Sequence, residues 1–247
     1  MQPRRIRIGG LDAIEVYGPG GGPGEAAVGE GPIAVILHGY GADMTDLAPL
    51  SQVLDAPPGT RWIFPNAPIT VPLGPYWSGR AWFPIDMAAL ERAMQSGSHR
   101  DLSGAAPAEL DAAREAIFSV CAETGRPLDE IVLGGFSQGA MVATEVALRA
   151  PQAPAGLVIW SGTLLQEAVW RPLAPGRAGL RFVQSHGRGD PLLAFEAAER
   201  LHQMLGDAGL EGRFVGFDGA HEIPEAALDA ASALLRTIVV GAAKEGR

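Results

Sequence analysis

The chain is poor in sulfur, in lysine and in long apolar runs. Its 247 residues include one cysteine, Cys121, so an internal disulfide cannot form and a cysteine-built zinc site is excluded. Lysine occurs once, at Lys244, and 19 basic residues face 28 acidic ones for a formal net charge of −9. Such a surface has no basic field to hold a phosphate backbone, so nucleic acid is not an expected partner. The longest apolar runs, such as residues 33–37 and 238–240, fall far below the ~18 residues of a membrane span. The N-terminal Met1-Gln2-Pro3-Arg4-Arg5-Ile6-Arg7-Ile8 carries positive charge without the apolar stretch that completes a signal peptide. A cytoplasmic protein, monomeric or homodimeric, is expected. There is no H-E-x-x-H and no grouping of histidines and carboxylates at ligand spacing, so neither metal nor other cofactor is expected.

What the chain does have is glycine (33), proline (20) and 47% hydrophobic residues. Glycine and proline together stay below the ~25–30% that marks disorder. The length suits one α/β domain spanning residues 1–247. Residues 5–9 and 12–17 read as two strands joined across Gly9-Gly10. Ten of the fifteen residues from Gly18 to Pro32 are glycine or proline, a connector too short to separate domains. Beyond it, short apolar runs at 33–37, 61–64, 131–133, 157–160, 180–183 and 213–217 alternate with helical stretches at 45–53, 107–123, 138–149, 192–208 and 224–240. These runs lack polar alternation, as strands covered on both faces do. The expectation is a mostly parallel central sheet with helices on both faces. Residues 68–106 fit neither pattern, apart from a short helical stretch at 86–94, and form an irregular insertion of the kind that lines sites.

The chemistry concentrates in Gly134-Gly135-Phe136-Ser137-Gln138-Gly139, a G-x-S-x-G set between an apolar strand and a helix. In a nucleophile elbow the serine sits at a strained strand-to-helix turn, and flanking side chains would collide with that turn. A serine hydroxyl needs a base, and the base needs an orienting group. In this kind of sheet they follow in the order Ser, acid, His at strand ends. Asp190 lies 53 residues after Ser137, in His186-Gly187-Arg188-Gly189-Asp190, and His221 lies 31 residues further, in Asp218-Gly219-Ala220-His221. Asp218 competes with Asp190 as the orienting acid. His186 also stands at a strand end but needs a different acid. His38 adjoins a glycine turn and reads as a brace for it. His202 is expected on a helix surface and His99 in a polar loop. Two donors for an oxyanion are at hand: the backbone N–H of Gln138 at a helix N-terminus, and that of Tyr40 in the turn His38-Gly39-Tyr40-Gly41.

Together these stretches, with Phe64-Pro65-Asn66-Ala67-Pro68 and Ala81-Trp82-Phe83, resemble the phospholipase/carboxylesterase family of α/β-hydrolases, which includes acyl-protein thioesterases and small bacterial carboxylesterases. The resemblance implies an α/β-hydrolase fold and an esterase in which Ser137 is the nucleophile and Asp190 and His221 its partners. It also implies Tyr40 and Gln138 as the oxyanion hole and a small acyl ester as substrate. It matches Trp82 and Phe83 to an aromatic pair near the acyl site. Pro191-Leu192-Leu193-Ala194 departs from the Val-Pro-like pair usual after the acid, and Ala140 stands where a further glycine is common. With Leu73, Tyr76, Trp77, Met87 and Leu90, the aromatic pair Trp82 and Phe83 is expected to wall a narrow acyl pocket.

Overall fold

The computed structural model describes residues 2–18 and 31–238. All eight expected strands form and join one sheet. Strand β1 (Arg4–Ile8) turns into β2 (Leu11–Tyr17) through Gly9 and Gly10, both at positive φ (58° and 74°), as a two-residue hairpin of this twist requires. Then come β3 (Ile33–Leu37), β4 (Arg61–Pro65), the small pair β5 (Ile69–Pro72) and β6 (Ser78–Ala81), β7 (Ile131–Phe136), β8 (Gly156–Trp160), β9 (Arg181–Gly187) and β10 (Glu211–Phe217). The main sheet runs β1-β2-β4-β3-β7-β8-β9-β10. It is antiparallel only at β1/β2 and β2/β4, and parallel from β4 to β10.

The pleat divides the core in two. Ile33, Val35 and Leu37 of β3 point into one hydrophobic cluster, and Ala34 and Ile36 into the other. The first cluster is closed by α3 (Leu110–Glu123), α4 (Gln138–Arg149), α5 (Glu167–Leu173) and α6 (Phe195–Asp207). The second is closed by α7 (Glu225–Leu235), which lays Ala227, Ala231, Leu234 and Leu235 on the sheet. Helix α4 is buried at every position from Gln138 to Leu148. Its one acid, Glu145, is paired with Arg114 and Arg149 (3.1 and 3.0 Å) and accepts from the Trp170 indole at 2.6 Å, as a charge inside a core must be.

Helix boundaries differ from the sequence expectation for local reasons. Of residues 45–53 only α1 (Leu50–Val53) is helical, because Pro49 cannot donate inside a helix and the Asp43 carboxylate folds the chain by accepting from Thr45. Residues 192–194 stay out of α6 because Asp190 Oδ1 takes the N–H groups of Leu192 and Leu193. Helix α5, not expected from the sequence, contains Pro172. The expected helix at 224–240 ends at Leu235, and its residues 239 and 240 lie outside the described residues, as do 19–30 of the glycine-rich connector. Within 68–106, α2 (Met87–Gln95) is capped by Asp86, whose carboxylate accepts from Ala89 N–H. No helix among the described residues is long and apolar enough to cross a membrane.

Candidate active site

The turns beyond β3, β7, β9 and β10 carry the candidate residues, at the carboxyl edge where parallel sheets build their sites. Ser137 joins β7 to α4 with φ 55° and ψ −118°, a conformation that costs an L-residue energy and that the surroundings must impose. They do. Ser137 N–H donates to Trp160 O of β8 at 2.8 Å. A Cβ on Gly135 would sit 2.5 Å from the carbonyl carbon of Gly139, and one on Gly139 only 2.1 Å from Leu37 O. The G-x-S-x-G spacing is therefore steric: α4 starts so close to β7 and β3 that neither glycine can carry a side chain.

Asp190 and His221 meet. His221 Nδ1–H donates to Asp190 Oδ2 at 2.6 Å, and the imidazole packs on the Phe136 ring, 4.7 Å between centroids. Asp190 is buried, which by itself would raise its pKa. Hydrogen bonds from His186 and His221, the His221 charge and the Leu193 N–H overcome that and hold the carboxyl well below the usual carboxylate range. Asp218 goes elsewhere: its side chain is 98% exposed and lies 3.8 Å from Arg188. Ser161, at φ 47°, secures the His221 loop by donating its hydroxyl to Glu222 O at 3.1 Å. No sequence signal marked that serine.

The turn at residues 38–42 is held on several sides. His38 Nδ1–H donates to Gly39 O (2.8 Å) and Nε2 accepts from Ala67 N–H (3.1 Å). Burial lowers its pKa against the pull of the Gly39 carbonyl, and the two backbone bonds make it the brace for the turn that the sequence suggested. The β6 backbone pairs with the same turn through Gly41 N–H to Arg80 O and Arg80 N–H to Ala42 O. Tyr40 and Gln138 both border the cavity that Ser137 and His221 line.

That cavity has a volume of about 340 Å³ and is apolar over most of its wall, with Phe83, Met87, Leu90, Met141, Leu165 and Leu193 among its residues. The expected aromatic cluster needs correction. Trp82 is fully buried behind the wall: its indole N–H donates to His38 O (2.9 Å) and its backbone N–H to Gln138 Oε1 (2.8 Å). Tyr76 and Trp77 are solvent-exposed at the tip between β5 and β6, and Leu73 is half-exposed; none of the three lines the cavity. Phe83 does line it, its carbonyl held by the Gln138 side-chain amide at 2.7 Å. The Gln138 side chain thus clamps the segment that carries Trp82 and Phe83, a contact no spacing rule announces. His202 stands on α6 outside the cavity, as expected, half-buried between Phe182 and Phe214 (5.2 and 5.3 Å). Cys121 is remote from this chemistry, its thiol pushed up to about 12 by burial.

A parallel sheet with a serine at a strained elbow and an acid–histidine pair on the following strand ends defines an α/β-hydrolase. Residues 26–239 match the family model described as Phospholipase/Carboxylesterase, and the chain belongs to that family of hydrolases. It is 29% identical over 189 residues to a probable carboxylesterase of Oryza sativa subsp. japonica, across 74% of this chain and 68% of that protein. Acyl-protein thioesterase 1 of Mycosarcoma maydis is 29% identical over 209 residues, 77% of this chain and 82% of its own length. Among solved structures, esterase PE8 aligns with a TM-score of 0.75 at 26% identity, covering 97% of this chain and 100% of that one. The carboxylesterase from Mesorhizobium loti shares the fold, with a TM-score of 0.69 at 18% identity over 96% and 100% of the two chains.

Proposed function

We propose that this protein is a serine carboxylesterase that cleaves small carboxylic esters through an acyl-enzyme on Ser137. What carries the reading is a buried carboxylate, Asp190, bonded at 2.6 Å to the Nδ1 of His221, which shares an apolar cavity with a strained Ser137. Asp190 keeps the hydrogen of His221 on Nδ1, leaving Nε2 bare toward the cavity. Ser137 Oγ attacks the ester carbonyl as its proton passes to His221 Nε2. The resulting oxyanion is met by the backbone N–H groups of Tyr40 and Gln138. As the tetrahedral intermediate collapses, the C–O bond to the alcohol breaks and His221 returns the proton to the departing alkoxide. Water, deprotonated by the same nitrogen, then releases the carboxylic acid and restores Ser137.

Substrate size follows from the cavity. At about 340 Å³ it lies near the lower end of the ~300–1,000 Å³ of small-molecule sites, and acyl chain and alcohol must share it. Each buried methylene strengthens binding by about 0.8 kcal/mol until the wall is met. Activity is therefore expected to peak at acyl chains of roughly two to six carbons, and Phe83→Ala to move the optimum to longer ones. The test is kcat/KM across esters and thioesters of increasing length, with Ser137→Ala as blank. An optimum at long chains sinks the short-chain assignment. A strong preference for the thioester series favours acyl thioester hydrolysis by the same residues, a reading that the name of the Mycosarcoma maydis relative supports.

Among the described residues no three His, Cys, Asp or Glu side chains group as ligands for a metal. Activity is expected to survive exhaustive chelation with EDTA, and a loss that added metal restores would overturn this mechanism.

A further inference from the structure

His186 is fully buried, does not belong to the cavity wall, and so cannot reach an ester. Yet it touches the chemistry. Its Nε2 lies 3.2 Å from Asp190 Oδ2 and 3.0 Å from Leu193 O. Both neighbours are acceptors, so Nε2 carries the hydrogen, and Nδ1 is a buried atom with no hydrogen-bond partner among the described residues. Asp190 accepts three N–H groups, Leu192 and Leu193 on Oδ1 (2.8 and 3.0 Å) and His221 on Oδ2 (2.6 Å), and the one Nε2 hydrogen of His186, bonded to Leu193 O, also lies beside Oδ2 as a shared contact. One carboxylate oxygen is shared by two imidazoles.

We infer that His186 is a positioning residue that acts through Asp190, fixing the carboxylate plane and drawing some of its negative charge away from His221. The inference rests on the assignment of Ser137, Asp190 and His221 above. Its physical content is a division of charge. An oxygen faced by two N–H groups gives less to each, so removing the His186 contact leaves more of the Asp190 charge facing His221. The carboxylate also loses one of the contacts that stop it turning. Strand β9 holds the donor in place by burying His186 against Phe195, 6.2 Å between ring centroids, and the Asp190 loop returns beneath it four residues later. Other ionisable groups near the loop have partners other than the Asp190 carboxylate. Arg188 and Asp218 face each other at 3.8 Å, Glu222 Oε1 accepts from Ala220 N–H, and His99 Nε2 bonds the Asp190 carbonyl at 2.8 Å.

The experiment compares His186→Leu, His186→Asn and His186→Gln with the wild type on a short-chain ester, with active sites counted by fluorophosphonate labelling of Ser137. Glutamine can place an N–H near the position of Nε2, whereas asparagine is too short and leucine has no donor. The expected result for Leu and Asn is a fall in kcat per active site of about tenfold with KM unchanged. The acid limb of the kcat/KM profile moves up by about half a pH unit, and Gln restores both. A merely structural role would lower the number of labelled sites without moving the limb. If the Leu and Asn enzymes that label keep wild-type kcat and pH profile, the inference falls. Should no variant fold, nitrogen-15 spectra of the wild-type imidazoles decide, since a hydrogen found on Nδ1 of His186 overturns it. Failure of the assignment itself is distinguishable, because Ser137→Ala would then stay active.

Discussion

Ser137→Ala is expected to lower kcat by about 10⁴–10⁶ while the protein remains folded. Acylation needs a bond between Oγ and the carbonyl carbon, and no neighbour can supply it. Cys121 is buried away from the cavity with its thiol pushed up to about 12, and among the described residues no other serine or threonine lines the cavity. Residual rate would come from the backbone donors and from substrate binding, which the substitution leaves in place. Stability should hold, because alanine carries the same Cβ at φ 55° and so meets the same backbone strain. The checks are kcat on the best ester, a thermal melt, and labelling with a fluorophosphonate, which should mark Ser137 alone in the wild type and nothing in the variant. Labelling at another serine, or a variant that keeps a tenth of the activity, would end the assignment.

The sheet was legible because its central strands are short apolar runs punctuated by glycine and proline, a pattern with few alternative solutions. Ser137 was legible because its two flanking glycines are steric necessities of the elbow. Asp190 was separable from Asp218 only by position along the chain, and in space their surroundings are opposite: one is buried beside His221, the other 98% exposed. Trp82 was misread for a physical reason. A tryptophan near a site has the same apolar signature in a pocket wall and in the core behind it, and only the indole N–H bonded to His38 O shows which it is. The Gln138 clamp and the His186 contact were illegible because each joins segments whose approach is a product of the whole fold. Gln138 lies 56 residues from Trp82. The helix at 45–53 shows that local chemistry, here Pro49 and the Asp43 turn, can outweigh apolar periodicity.

Asp190→Asn should cost about 10³–10⁴ in kcat, and the geometry says why so small a change weighs so much. Three N–H groups bond the carboxylate and His186 Nε2 lies 3.2 Å from it, and two of the three are backbone groups that have no other state. An amide offers one acceptor and one donor. Setting its oxygen against the Leu192 and Leu193 N–H groups is the only choice that avoids pointing NH₂ at them, and this aims the NH₂ at His221 Nδ1. His221 relieves the clash by moving its hydrogen to Nε2, where it faces Ser137 and can no longer accept the serine proton. The loss should appear in kcat at every pH, with KM little changed, because no substrate contact is removed. Asp218→Asn should stay within about twofold of wild type, given how far into solvent that side chain reaches. The wild-type carboxyl also has a linkage signature. Its folded pKa is depressed, so the stability it contributes is complete above the unfolded value of about 3.9 and is lost as pH falls below it toward the folded one. Asp190→Asn should remove that contribution to the acid dependence of unfolding while Asp218→Asn leaves it intact. If Asp218→Asn proves the more damaging of the two to kcat, Asp190 is not the orienting acid.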